Sequence, residues 1–252
     1  LDAIFFSPHK FLGGPGTNGV LIFDAALNNG RIPAEPGGGT VAWVNPWGGR
    51  RYTNAIEMRE DGGTPGFLQA FRTALCVKLK EQMNGNGQYM VMREHELCQQ
   101  LLAGLSDIPE CSLLAGDHTE RHGIVSFTLR DIHYNLAVQL LNDRFGIQAR
   151  GGCSCAGPYG HYLLGLGWTQ SAQIAGAIMS GDQSFRPGWI RISLHPIMTN
   201  QEVERIVSAV RSIATHVQQW KQDYLYDTST NSWNHIYVKH SPEMKLQELF
   251  TV

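Results

Sequence analysis

The sequence carries little net charge and lacks the marks of a secreted or membrane-spanning protein. Its 20 lysine and arginine residues nearly balance 22 aspartate and glutamate residues, which gives a formal net charge of -2. This balance argues against a nucleic-acid or anionic-membrane partner held by bulk electrostatics. Long apolar runs are also missing, as are the charged start and cleavage pattern of a secretory signal. We therefore expect a cytoplasmic protein whose partners are small molecules and other proteins.

Cysteine is scarce, and an initiating methionine is missing. A chain of 252 residues does not need a disulfide framework, so the five scattered cysteines are predicted to be reduced thiols. The chain opens with Leu1 inside a strand-like run, without a preceding turn. We expect it to be the downstream part of a longer protein.

Hydrophobic residues make up 42% of the chain and charged residues 17%, enough to build a substantial core. Strand patterns alternate with helix patterns, which predicts an α/β fold. We expect three regions: residues 1–88, a small α/β domain at 89–222, and a polar tail at 223–252. Strands are predicted at residues 2–6, 19–24, 123–129 and 189–194.

Several helices have recognisable starts. Thr64-Pro65 is predicted to cap a helix and begin its first turn, with apolar residues following at helical spacing. Further helices are predicted at residues 94–105 and 135–145. Thr199 to Glu202 forms a capping-box pattern ahead of a long helix. Residues 30–66 are predicted to be an ordered connection and residues 156–188 a glycine-rich insertion.

Lys10 follows a strand predicted to be buried, in the stretch SPHKFLGGPG. Desolvation disfavours an ammonium there, so the side chain either extends to water or becomes a neutral, nucleophilic amine. The glycines at 14, 16 and 19 match a dinucleotide-binding pattern, but a strand follows where that pattern needs a helix. A tight turn is the better interpretation.

Residues 7–23 resemble the lysine region of fold-type I, class V aminotransferase-like enzymes, which bind pyridoxal 5′-phosphate. The resemblance implies that Lys10 holds this cofactor covalently, that Ser7 contacts its phosphate and that His9 is its neighbour. Residues 57–71 resemble the Gly-Thr-Pro segment of the family. There the resemblance implies that Thr64 contacts the phosphate bound by a second subunit, and hence a homodimer.

The stretch QARGGCSCAGPYG resembles the Arg-x-Gly-x-x-Cys loop of cysteine desulfurases and selenocysteine lyases. It implies that Cys155 is a nucleophile that takes sulfur from the substrate, with Arg150 helping to hold it as a thiolate. The stretch WIRISL resembles the arginine strand of the family, which implies that Arg191 binds the substrate carboxylate.

The loop departs from the commoner pattern, because Cys153 and Ser154 stand where histidines precede the cysteine. Two other interpretations of the cysteine pair stay open at this point. One is a metal site that includes His161, although zinc sites usually supply four ligands and no second pair is present. The other is a buried, inert pair. The prediction is that no metal is bound.

The resemblance thus implies the C-terminal part of a fold-type I large domain followed by a small α/β domain. It also implies a pyridoxal phosphate-dependent enzyme that converts L-cysteine or selenocysteine to alanine, with a protein as sulfur acceptor. Other cofactor ligands of the family lie upstream of the lysine, so we expect the chain alone to be inactive. Two alternatives stay open: another class V aminotransferase, lyase or epimerase, and a non-catalytic dimerising relative.

Overall fold

The computed structural model describes residues 1–85 and 88–237, and the chain divides into two compact units. The first unit spans Leu1–Tyr89 and the second Met90–Val252. Within 1–85 and 88–237, no helix is both long enough and apolar enough to cross a membrane.

The first unit consists of two antiparallel hairpins and two helices. Strand β1 pairs with β2, and β3 pairs with β4. The elements are β1 (Ala3–Phe6), β2 (Val20–Phe23), β3 (Val41–Val44), β4 (Arg50–Tyr52), α1 (Ile56–Glu60) and α2 (Phe67–Asn84). The connection expected at residues 30–66 therefore contains a hairpin and a short helix.

Strand β1 is formed as predicted, but it is not buried. Phe5 is 83% exposed and Ile4 is 44% exposed, and their partners in β2, Leu21 and Ile22, are also open to solvent. The expectation of a buried strand before Lys10 is therefore wrong for this unit. A two-stranded ribbon is a single layer and has no second layer of its own to cover it. Apolar side chains on both of its faces therefore stay exposed.

Helix α2 begins later than its sequence pattern predicted. Its N-cap is Gly66, which makes no side-chain cap, and Thr64 lies two residues before that cap in an exposed bend. The prediction that Thr64 caps the helix is wrong. Glycine disfavours helical backbone through its conformational entropy, so Gly66 is the cap rather than part of the first turn and the helix starts at Phe67.

The described part of the second unit contains a four-stranded antiparallel sheet, five α-helices and a further hairpin. The sheet order is β5-β6-β8-β7, and β9 pairs with β10. Its helices are α3 (Tyr89–Ser106), α4 (Tyr134–Phe145), α5 (Gly157–Leu163), α6 (Trp168–Met179) and α7 (Asn200–Trp220), the first of which starts at the boundary between the units. Its strands are β5 (Cys111–Leu113), β6 (Ile124–Leu129), β7 (Arg150–Gly152), β8 (Trp189–Ser193), β9 (Tyr224–Asp227) and β10 (Ser232–His235).

The core of this unit lies between one face of the sheet and helices α3, α4 and α7. Alternate residues of β6 and β8, among them Phe127 and Ile190, are fully buried against the helices. This alternation places the remaining residues of β8, Trp189, Arg191 and Ser193, on the opposite face. The core thus holds the sheet in place, and Arg191 lies on the opposite face of that sheet.

Helix α7 has the predicted capping box. The hydroxyl of Thr199 accepts the backbone N–H of Glu202 at 3.2 Å, and the Glu202 carboxylate accepts the backbone N–H of Thr199 at 2.7 Å. Its apolar residues Val203, Ile206 and Val217 are buried, and Val207 is partly buried. The predicted start of this helix and its apolar spacing therefore both agree with the structure.

Two regions that carried little pattern are ordered elements. The insertion at 156–188 contains α5 and α6, and part of the expected polar tail forms the β9–β10 hairpin. Tyr224 and Trp233 anchor that hairpin in the core, with 5% and 9% exposure. Two aromatic side chains are enough to hold a short hairpin. Residues 238–252 of the tail lie outside the described residues.

Candidate active site

Two arginines face each other across β7 and β8. Arg150 is the cross-strand partner of Arg191, and residues directly opposite in an antiparallel pair project from the same face. Like charges in such a position disfavour folding. Neither guanidinium forms an ion pair with a carboxylate within residues 1–85 and 88–237. The pair is thus a concentrated positive charge suited to an anion.

Arg191 has an unused donor. Its Nε is fully enclosed and has no hydrogen-bond partner, although the residue as a whole is half-buried. Leaving a buried N–H of a charged group unpaired costs about 1–3 kcal/mol or more. A carboxylate can accept from Nε and a terminal nitrogen of the same guanidinium together. Arg191 is thus of the residue type that binds a carboxylate, but its enclosed Nε requires a local rearrangement before a ligand can reach it.

A tight turn at residues 153–156 presents the predicted nucleophile. The backbone N–H of Ala156 donates to the carbonyl of Cys153 at 2.9 Å, which closes the turn. Both central residues, Ser154 and Cys155, have positive φ, at 51° and 64°, as in a type I′ turn. Non-glycine residues in the left-handed region carry backbone strain, which is frequent at functional sites.

Cys155 is exposed, and Arg150 contacts its sulfur. Nη2 of Arg150 donates a hydrogen bond to Sγ of Cys155 at 3.4 Å. Charge-assisted contacts of this kind orient a sulfur nucleophile. The structure thus brings together three of the predicted residues, Arg150, Cys155 and Arg191, at one edge of the sheet.

Cys153 has different surroundings from Cys155. It is half-buried, and its Sγ donates to the carbonyl of Pro187 at 3.0 Å. Burial raises the pKa of the Cys153 thiol, and the nearby Arg186 opposes that effect. The two thiols of the loop are therefore chemically distinct.

Both cysteines line a cavity of about 430 Å³. Its polar lining includes Arg150, Arg186 and Asn231, and none of its lining residues is acidic. Two guanidinium groups without a carboxylate give the cavity a positive potential. It is therefore suited to small anionic or sulfur-containing groups.

A hydrogen-bonded cluster forms one wall of this cavity. Tyr134 donates its hydroxyl proton to the carbonyl of Arg186 at 3.0 Å and accepts from Nδ2 of Asn231 at 2.6 Å. Asn135 donates to the carbonyl of Asn231 at 2.5 Å. Neither Asn231 nor Arg186 was predicted, because Asn231 lies in the expected polar tail and Arg186 in the expected insertion.

Lys10 ends a short 3-10 turn, Pro8–Lys10, that follows β1 directly. His9 and Lys10 are exposed and Ser7 is half-buried. In the described parts of the chain, the Lys10 amine has no ion-pair partner. The side chain thus takes the first of the two predicted states and extends toward solvent within this unit.

The loop after Lys10 folds back closely on the turn. A Cβ at Gly14 would lie 2.8 Å from the carbonyl oxygen of Phe11, so only glycine fits there. Oγ1 of Thr17 is enclosed and has no hydrogen-bond partner. No motif in the sequence predicted a role for Thr17.

The metal interpretation of the cysteine pair finds no support in residues 1–85 and 88–237. No group of three or more His, Cys, Asp or Glu side chains in those ranges is arranged to hold a metal ion. The ring nitrogens of His161 are hydrogen-bonded to the carbonyl of Gly157 and the hydroxyl of Ser171, both at 2.9 Å.

Comparison with known proteins identifies the family. The model of the family described as aminotransferase class-V matches residues 1–206. The chain belongs to this family. Among curated relatives, cysteine desulfurases from Pectobacterium atrosepticum and Escherichia coli O157:H7 are each 28% identical, over 84% of this chain and 45% of their own length.

Solved structures show the same fold. An apo cysteine desulfurase from Thermococcus onnurineus is 26% identical and aligns with a TM-score of 0.67 over 85% of this chain and 47% of its own. The cysteine desulfurase CsdA from Escherichia coli, at 23% identity, aligns with a TM-score of 0.66 over 86% and 47%. The chain thus spans about half the length of the class-V relatives it matches, and the predicted partial fold-type I architecture is confirmed.

The turn at Pro8–Lys10 has the groups that bind an aldehyde cofactor with a phosphate. It offers an accessible amine without a carboxylate partner and the hydroxyl of Ser7. The enclosed Oγ1 of Thr17 adds an unused donor in the loop that follows. An amine, hydroxyl groups and a close-packed glycine loop are the groups that such a cofactor needs.

Proposed function

We propose that the protein functions as a pyridoxal 5′-phosphate-dependent cysteine desulfurase, which takes sulfur from L-cysteine or selenium from selenocysteine and leaves alanine. The observation that carries the proposal is the contact between Arg150 and Cys155, at 3.4 Å, on a strained turn that exposes the thiol. An aminotransferase that moves only an amino group has no need of a presented thiol.

Residues of the first unit hold the cofactor in this proposal. When bound, pyridoxal phosphate withdraws electrons from the substrate Cα. The Lys10 amine anchors the cofactor covalently and moves a proton at the substrate Cα, while the Ser7 hydroxyl donates to the phosphate. His9 lies beside the cofactor. Thr64, on an exposed bend, contacts the phosphate held by a second copy of the chain, so the active protein is a homodimer.

Residues of the second unit act on the substrate. Arg191 binds the α-carboxylate through its guanidinium group. Arg150 orients the sulfur of Cys155 through its hydrogen bond. Cys155 receives the substrate sulfur as a persulfide, which then passes to an acceptor protein.

The first test separates sulfur transfer from cofactor binding. The full-length protein, with the upstream part that the resemblance implies, is incubated with pyridoxal phosphate, L-cysteine and a small dithiol reductant, and sulfide and alanine are measured. We expect Cys155→Ala to lose sulfide release while Lys10 is still labelled by the cofactor after borohydride reduction, as located by peptide mass analysis. Cys111→Ser, a thiol removed from β5, serves as the control with unchanged sulfide release.

Three results would contradict the proposal. Sulfide release that survives Cys155→Ala favours another class V aminotransferase, lyase or epimerase. Labelling at a lysine other than Lys10 contradicts the cofactor assignment. If Lys10 is not labelled at all, a non-catalytic, dimerising relative is the better description.

A further inference from the structure

The second thiol of the loop, Cys153, has no role in the function proposed above. It lines the same cavity as Cys155, two residues before it. We propose that, when no acceptor protein takes the persulfide formed on Cys155, Cys153 resolves it, so that sulfide leaves into the cavity and the two cysteines form a disulfide. This inference rests on the proposed function, because it takes a persulfide on Cys155 as its starting point.

The turn at 153–156 holds the two cysteines at a suitable separation. They are the first and third residues of a turn closed by the 2.9 Å hydrogen bond from Ala156 to Cys153. Two successive Cα steps of about 3.8 Å bend back in such a turn, which leaves the outer Cα atoms about 5–6 Å apart. Disulfides span Cα distances of about 4.4–6.8 Å. The Cα separation in this turn is therefore within the range that a disulfide spans.

The surroundings of the two sulfurs give them an order of reaction. Cys155 is exposed and contacted by Arg150, so it meets an incoming sulfur first. Cys153 is half-buried, and its thiol donates to the Pro187 carbonyl. A Cβ at Gly160 would lie 3.4 Å from that sulfur, so the glycine backbone closes one side of it. Cys153 is shielded from large reagents but faces the cavity that Cys155 shares.

The proposed step is a balanced exchange. The Cys153 sulfur attacks the inner sulfur of the Cys155 persulfide, the bond between the two persulfide sulfurs breaks, and a Cys153–Cys155 disulfide forms. The outer sulfur leaves as hydrogen sulfide and carries away the proton of the Cys153 thiol. The two thiols are oxidised and the transferred sulfur is reduced, so no other oxidant is needed. A small dithiol reductant then restores the pair.

The charges around the cavity favour this step. The outer sulfur leaves as hydrosulfide before it takes up the proton from Cys153, and both Arg150 and Arg186 line the space that it enters. Arg186 also lies close enough to Cys153 to favour its deprotonation, against the effect of burial. Positive charge at both ends of the exchange stabilises the thiolate that attacks and the hydrosulfide that leaves.

The test loads Cys155 directly and bypasses the cofactor. The reduced protein is treated without oxygen with one equivalent of inorganic polysulfide. After the reagent is removed, released sulfide is measured and the loop peptide is analysed by mass. We expect the wild-type protein to release one equivalent of sulfide and to hold a Cys153–Cys155 disulfide. In Cys153→Ser, we expect a stable persulfide on Cys155 and loss of sulfide release.

In Cys153→Ser, the hydroxyl can still donate a hydrogen bond to the Pro187 carbonyl, so the loop should keep its fold. The variant Cys153→Ala repeats the test without that hydrogen bond. Cys111→Ser, which removes a thiol from β5 in the same unit, is the control and should behave as wild type. A wild-type persulfide on Cys155 as stable as that of Cys153→Ser would overturn the proposal, and so would a persulfide recovered on Cys153. Because polysulfide replaces the substrate, a failed cysteine assay with a positive result here refutes only the proposed desulfurase activity.

Discussion

The hydroxyl of Tyr134 offers a direct test of how the cavity wall is held. It bridges the carbonyl of Arg186 and the side chain of Asn231, and Tyr134 and Asn231 are 9% and 6% exposed. Tyr134→Phe removes this hydroxyl and leaves the ring in place, so no cavity is created. Burial raises the pKa of Tyr134, which keeps the hydroxyl protonated as a donor at neutral pH.

The size of the effect follows from the groups left behind. Without the hydroxyl, Nδ2 of Asn231 loses the acceptor at 2.6 Å and stays buried. A buried polar group without its partner costs about 1–3 kcal/mol. We expect Tyr134→Phe to lower the free energy of unfolding by that amount, which corresponds to about 2–4 °C in Tm for each kcal/mol in a unit of this size.

Urea denaturation followed by tryptophan fluorescence measures the difference, provided that the slope with denaturant is unchanged. Tyr237→Phe is the matched control, because that side chain is 82% exposed and its loss of a hydroxyl should change stability by less than about 0.5 kcal/mol. Equal unfolding midpoints for Tyr134→Phe and Tyr237→Phe would refute the assigned role of the Tyr134 hydroxyl.

Two further predictions concern helix starts and pH. Thr199→Ala removes the cap of α7 and should lower the free energy of unfolding by about 1 kcal/mol in urea titrations at pH 7. Hydrogen bonds from Thr199 lower the pKa of Glu202. The stabilisation from these hydrogen bonds is therefore present above the pKa of Glu202 in the unfolded chain and is lost as pH falls through its pKa in the folded protein. An equal loss of unfolding free energy for Thr199→Ala at pH 7 and at pH 3 would contradict the reasoning. Burial, aided by Lys221, lowers the pKa of His133 below 6.5, so the unfolded chain binds a proton first and stability should fall as pH drops below about 6.5. His133→Asn keeps an acceptor for the backbone N–H of Asn135 but does not titrate, and urea midpoints between pH 7 and pH 5 should therefore fall less than in wild type.

The elements predicted well from the sequence are those whose signals are local. Helix α7 could be predicted because its capping box and its regular apolar face both lie within one stretch of chain. Strand β5 has three residues, and the β9–β10 hairpin buries only a few aromatic residues among polar ones. Such short elements are stabilised by contacts distant in sequence, which local periodicity does not contain.

The candidate site was likewise predicted only in part from the sequence. Motif resemblance predicted roles for Arg150, Cys155 and Arg191, but not that the two arginines are cross-strand partners. That pairing depends on the register of β7 against β8, which the fold sets through residues on the buried face. Arg186 and Asn231 reach the cavity through the insertion and the tail, where the sequence has no motif to mark them.

Several unfavourable features of the second unit lie at or near this cavity. Arginines oppose each other without carboxylates, Ser154 and Cys155 occupy left-handed backbone, and Nε of Arg191 is enclosed without a partner. Each opposes folding by about one to a few kcal/mol, while the helices and sheet behind them form a continuous apolar core that offsets the cost. A fold stabilised on one face and strained on the other is expected where the strained face binds an anion or presents a nucleophile. The strain at Cys155 lies where Arg150 contacts the sulfur, and this coincidence favours a reacting thiol over an inert one.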